Sequence, residues 1–230
     1  GKMKVGKDYT PVSQFISGQV FDGDLGLLNT GTVYGGRHGQ IAFEFGGFTV
    51  ALVNPNTGLL NDMTTTVTGA LTVVTGVGGG VVTQVTASTN PNGSDRRIAP
   101  KLEASWGMGF DSWNFNLMGG AQYYSIKDVI SAQDGDKDDL DVTSYIVGGD
   151  VGWNFGPGFL KAAVSMGQNI GNAAWSAGGK GTYGGSDGQA LWDGDDDTND
   201  TTTVQAALVA GLKMSDMFSF EAGVGMRKAA

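Results

Sequence analysis

Apolar and polar residues alternate with a period of two along most of this chain, which restricts it to β-strands with one greasy and one polar face. In residues 101–110, Leu102, Ala104, Trp106, Met108 and Phe110 alternate with Lys101, Glu103, Ser105, Gly107 and Gly109. Trp113, Phe115, Leu117, Ala121 and Tyr123 oppose Asn114, Asn116 and Gln122, and Tyr145, Val147, Val151, Trp153 and Phe155 oppose Asp150 and Asn154. The same rhythm runs through residues 39–45, 48–54, 160–166, 204–214 and 218–227. It predicts nine strands at about residues 2–9, 37–46, 47–54, 98–110, 113–126, 144–155, 159–168, 203–214 and 217–228.

The connections separate two all-β architectures that alternation alone leaves open. Tight turns at Gly46-Gly47, Asp111-Ser112, Gly156-Pro157-Gly158 and Ser215-Asp216 take turns with long polar segments at about 10–36, 55–96, 127–143 and 171–203. Short and long connections in strict succession mark a transmembrane β-barrel, with short turns on one side of the membrane and long loops on the other. A soluble sandwich has no reason to keep that order. Trp106, Phe110, Trp113, Phe155, Phe159 and Phe218 lie near the tight turns, where an interfacial aromatic girdle is expected. Glycines on the polar face, at 107, 109, 223 and 225, are expected to leave a bore open. The segment from 67 to 87, with alternating Thr and Val around three glycines, predicts a hairpin rising above the membrane.

Composition removes the other classes. The chain has 230 residues, 40 of them Gly, yet it shows no collagen period, and its 10% aromatic content argues against a disordered linker. No apolar run suits a helical span. A net charge of −9 disfavours nucleic acid as a partner, since phosphate binding needs clustered Lys and Arg. With no Cys, a single histidine at His38 and no nucleophile motif, the expectation is a protein that is not an enzyme. Nine strands cannot close as an even-numbered barrel, and an open edge in lipid leaves costly unpaired backbone, so a single, partial β-barrel domain over residues 1–230, belonging to a longer chain, is expected.

Gly6-Lys7-Asp8-Tyr9-Thr10-Pro11, a long Gly-rich segment, Arg37-x-x-x-Ile41-x-Phe43 and then Gly47-Phe48 follow one another at the start of the chain. This succession resembles the Gly-Arg/Lys-x-Tyr strand, constriction loop and Arg-bearing next strand of Gram-negative general diffusion porins, of the homotrimeric type found in sulfate-reducing bacteria. The resemblance implies a 16-stranded barrel of which this chain covers strands five to thirteen, with residues 10–36 as the inward constriction loop and 55–96 as a long extracellular loop. It implies a water-filled outer-membrane channel for small hydrophilic solutes and ions, a homotrimer embedded in outer-membrane lipid and lipopolysaccharide. The rival is an exported adhesin-like or structural outer-membrane β protein without channel activity; the repeats of 18 to 30 residues expected of a β-solenoid are not seen.

The resemblance places Lys7 and Arg37 at the constriction wall, facing Asp22 and Asp24 on the inward loop. Parity alone puts Lys7 with Met3 and Val5, and Arg37 with Ile41 and Phe43, so an inward orientation requires bulges near Gly6 or Gly39. Lys2 and Lys4 on the first strand, with Glu44, Lys101, Glu103, Asp150, Lys161, Lys213, Glu221 and Arg227 on polar faces, are expected to line water. Their mixed signs suit a general aqueous pore. No cofactor is expected, although acidic tracts at 134–141 and 193–200 space carboxylates as calcium loops do; Asp193, Asp195 and Asp197 are the candidate Ca2+ ligands, without the Gly and Glu of an EF-hand.

Overall fold

A computed structural model of the chain describes residues 1–17, 31–34, 36–55, 99–130, 136–175, 188–192, 197–215 and 217–230, together with short paired strands between 61 and 97. The chain is all-β. Nine strands form one antiparallel sheet in chain order: β1 (Lys2–Tyr9), β2 (Arg37–Phe45), β3 (Phe48–Val53), β4 (Lys101–Phe110), β5 (Trp113–Ile130), β6 (Lys137–Phe155), β7 (Gly158–Gln168), β8 (Thr202–Lys213) and β9 (Ser219–Ala229). Every strand pairs with its sequence neighbour among the nine, so tight turns fall at one end of the sheet and long connections at the other.

The registers reveal a strong stagger. One row of paired residues runs Lys2, Glu44, Thr49, Ser105, Met118, Gly148, Ser165, Gln205, Arg227. It starts beside the tight turn after β2 and finishes near the far end of β9. Strands tilted in this way are what closing a sheet into a barrel requires.

The two faces differ in kind. On the outer face Met3, Phe43, Leu117, Val164, Leu208 and Phe220 are all exposed, Leu117 at 59% and Val164 at 57%, while Trp106 and Val151 are half-buried. Leaving so many large apolar side chains in water would forfeit about 1.5–3 kcal/mol each, so this face belongs against lipid or another subunit. Rings join into a belt at the tight-turn end: Phe45 stacks on Phe48, Phe48 meets Trp106 at a tilt, and Phe110, Phe115, Trp113, Trp153 and Phe155 form a second run. Phe159 is the exception among the expected girdle residues. Its parity is that of Lys161 and Ala163, and it packs on the inner face beside Ala163, Ala207 and Val209.

On β6 the outer positions read Phe155, Trp153, Val151, Val147 and Tyr145, then change to Thr143, Asp141 and Asp139. The apolar stretch ends at Tyr145, matching the roughly 9–11 residues that a tilted strand needs to cross a bilayer. Strands β5 and β6 continue past it, with 18 and 19 residues, as a hairpin beyond the lipid. The segment expected to be loop at 127–143 is therefore mostly strand, carrying polar residues on its outer side because that side faces water. Tyr124, Ile126, Val129, Leu140 and Val142 on this extension bury Ala190 and Trp192. The expected hairpin within 67–87 is present as Thr66–Val67 paired with Val85–Thr86 and Leu71–Thr72 paired with Val81–Val82. Ser94–Arg97 pairs with β5 beyond the path of nine.

Candidate channel interior

Two connections fold back onto the inner face. After Tyr9, Pro11 ends β1 and the chain crosses the sheet as a strap. Val12, Gln14 and Ile16 turn toward the wall and are buried, whereas Pro11 and Ser13 are half-buried and Phe15 is exposed. The contacts step from strand to strand. The Val12 amide donates to Glu103 Oε2 of β4 at 3.4 Å; Gln14 Nε2 donates to the Gly149 carbonyl of β6 at 2.9 Å; Ile16 packs on Ala163, Ala207 and Val209 of β7 and β8; and Ser17 Oγ donates to Glu221 of β9. The strap then returns. A side chain at Gly31 would stand 2.1 Å from the Ala206 carbonyl oxygen, an approach that only glycine permits. The Gln14 amide donates to the Val33 carbonyl at 2.9 Å, and the Val33 amide donates to Gln14 Oε1 at 3.0 Å, so outgoing and returning arms are zipped together. Where the strap leaves β1, Tyr9, Phe15 and Tyr34 form an aromatic cluster, with the Tyr9 and Phe15 ring centroids 4.8 Å apart.

The second insertion is the turn at residues 169–175 that follows β7. Trp175 is buried against β4 and β5, its Nε1 donating to Glu103 Oε1 at 2.8 Å and its ring 5.3 Å from Lys101 Nζ. Lys101 Nζ meets Glu103 Oε1 at 3.0 Å and also donates to the Ala173 carbonyl at 2.9 Å, with both charged side chains fully buried. A Cβ at residue 120 would come within 2.8 Å of the Trp175 ring, so Gly120 opens the seat for it. Val12, Val33, Met118, Ile146, Ile170, Ala173 and Trp175 form one cluster in which strap, turn and wall meet.

The expected site residues divide accordingly. Register between β1 and β2 runs unbroken from Lys2 opposite Glu44 to Tyr9 opposite Arg37, so neither Gly6 nor Gly39 hosts a bulge. Lys7 and Arg37 therefore stay on the face of Met3, Val5, Ile41 and Phe43, and the expectation that they point into the bore is corrected. Arg37 instead lies over the Tyr9 ring at 4.8 Å. Asp22 and Asp24 lie outside the described residues. Lys2 and Lys4 are exposed on the inner face, and Lys4 bridges Asp8 at 3.0 Å and Glu44 at 3.6 Å. Lys101 and Glu103 have the expected parity but no water: the 169–175 turn covers them. Asp150 is half-buried and accepts from Asn116 Nδ2 at 3.1 Å, and Lys161 sits 4.9 Å from the Phe159 ring. Glu221 is half-buried beneath Ser17, Arg227 is half-buried opposite Gln205, and Lys213 is exposed at the tight-turn end. Asp193 and Asp195 lie outside the described residues, and Asp197 is exposed with its own carboxylate on the Thr198 amide at 2.7 Å. No group of three or more candidate metal ligands occurs among the described residues.

Gln14, Asn169, Asn172 and Trp175 were not foreseen. For the last three the signal was an apolar series, Ile170, Ala173 and Trp175, inside a segment otherwise rich in Gly and Asp.

A sheared antiparallel sheet with a lipid-type outer face, alternating short and long connections and an inward strap is the fold of an outer-membrane β-barrel channel. A solved structure with this fold is the outer membrane channel DcaP of Acinetobacter baumannii, similar at a TM-score of 0.62 and 14% identity over 99% of this chain. The match covers 53% of the DcaP chain, so this chain spans about half the length of that channel. No family model and no curated protein matches the sequence.

Proposed function

We propose that this chain supplies the strap-bearing part of an outer-membrane porin, a water-filled passage for passive diffusion of small hydrophilic solutes and ions, assembled as a homotrimer. The observation that carries this reading is the strap itself. Val12, Gln14, Ile16 and Ser17 cross the inner face from β4 to β9 beneath an outer face built for lipid. A loop that narrows a bore while the wall behind it stays rigid has a use in a filter. The inner charges beside it, exposed Lys2 and Lys4 with half-buried Lys161 and Asp150, mix signs, which suits weak selectivity over a single-ion site. The likeness to DcaP, itself an outer membrane channel, supports the same reading.

Planar-bilayer recording of the purified full-length protein tests it. The expected result is ohmic, weakly selective conductance appearing in triplets. Well-folded trimers that never conduct would overturn the porin reading in favour of an adhesin-like or structural outer-membrane protein.

A further inference from the structure

We propose that the turn at residues 169–175 is a second, fixed constriction of the passage, placed on the long-loop side of the strap; this rests on the channel reading above. The turn begins where β7 ends, and it folds inward where an outer loop would rise away. Asn169 and Asn172 hold it, both fully buried. Asn169 Nδ2 donates to the Thr143 carbonyl at 3.0 Å, its Oδ1 accepts from the Thr201 amide at 2.9 Å, and its carbonyl accepts from Ser144 Oγ at 2.9 Å. Asn172 Nδ2 donates to the Tyr124 hydroxyl at 3.1 Å, its Oδ1 accepts from the Ala190 amide at 2.8 Å, and its carbonyl accepts from Gln122 Nε2 at 3.3 Å. Of these partners, Gln122, Tyr124 and Ser144 sit on the inner rows of β5 and β6, above the residues that hold the strap.

Buried amides satisfied this fully rigidify the segment that carries them. The turn is therefore wall material and not a swinging lid. Ile170, Asn172, Ala173 and Trp175 face the barrel wall and are buried, while Gly171 and Ala174 remain half-exposed on the opposite side. Among the described residues of the turn, that leaves Gly171 and Ala174 to border the water path.

The absence of cysteine makes a clean experiment possible. In the full-length protein, Ala174→Cys is modified in the bilayer with methanethiosulfonate reagents, one carrying a trimethylammonium and one a sulfonate; Gly171→Cys serves as a second variant if the first folds poorly. Modification is expected to cut single-channel conductance by roughly half and to move the reversal potential in opposite directions for the two reagents. Full modification by mass with unchanged conductance and reversal potential at low ionic strength would overturn the proposal. So would a thiol that stays unmodified in the folded protein. If the unmodified protein forms no channels at all, the porin reading fails and the second constriction falls with it.

Discussion

Lys101 and Glu103 illustrate how far parity can be read from a sequence and where it stops. Alternation puts both on the inner face, as found, but water at that face depends on what lies over it, and Trp175 arrives from 72 positions away. No local pattern encodes that visit. The pair carries much of the junction: Glu103 accepts from the Val12 amide and from Trp175, and Lys101 holds the Ala173 carbonyl. Removing one partner of a buried pair strands the other charge, typically at a cost of about 3–5 kcal/mol, whereas an apolar pair of similar volume is far better tolerated. Lys101→Met should therefore lower unfolding stability in denaturant by about that amount, and adding Glu103→Met should recover much of the loss. A double variant as unstable as the single one would mean that the hydrogen bonds, and not the stranded charge, dominate. Lys7 and Arg37 teach the converse, since resemblance suggested an inward turn and the unbroken register shows that local parity was the better guide.

At the level of strands, all nine were legible because the outer face must stay apolar at every second position, and the tight turns carry Gly, Asp, Ser or Pro. What was not legible is how far β5 and β6 reach. Their outer positions turn polar beyond Tyr123 and Tyr145, so the pattern that signals a membrane strand ends although the pairing continues through Ile130 and Lys137. The inner residues Leu140 and Val142 keep the rhythm there, and Ala190 and Trp192 are its hidden reason. This boundary between lipid and water can be measured. Val164→Arg, in the middle of β7 on the outer face, should cost about 2–4 kcal/mol in lipid vesicles, and Thr143→Arg, above the apolar band on β6, no more than about 1 kcal/mol. Equal costs in denaturant titrations of the two variants would displace the band from where the outer residues put it.

For the whole molecule, the decisive fact is that, among the described residues, β1 and β9 each pair on one side only. Both edges run in the same direction because nine antiparallel strands separate first from last by an even number of reversals. A second copy joined edge to edge in the same membrane orientation would create parallel seams, while an odd number of further strands keeps every pair antiparallel. Unpaired amides and carbonyls along such edges cost several kcal/mol each in hydrocarbon, so partner strands are required for a membrane state. Residues 1–230 produced alone should accordingly fail to give the compact, heat-modifiable band of a closed barrel on a detergent gel, whereas a longer chain supplying further strands should give one. A heat-modifiable monomer from residues 1–230 alone would show that the edges can meet.

The strap adds a dimension of time to this arrangement. Ser17, near the start of the chain, is anchored on Glu221, 204 positions later, and Gly31 rests against Ala206 and Gly225. Contacts so distant in sequence form late and slowly. Synthesis delivers the strap long before β8 and β9 exist, so until that hairpin is in place its far end lacks these anchors. The seating of the strap is then a late step of folding: pairing of β8 and β9 onto the sheet is what fixes its far end across the inner face.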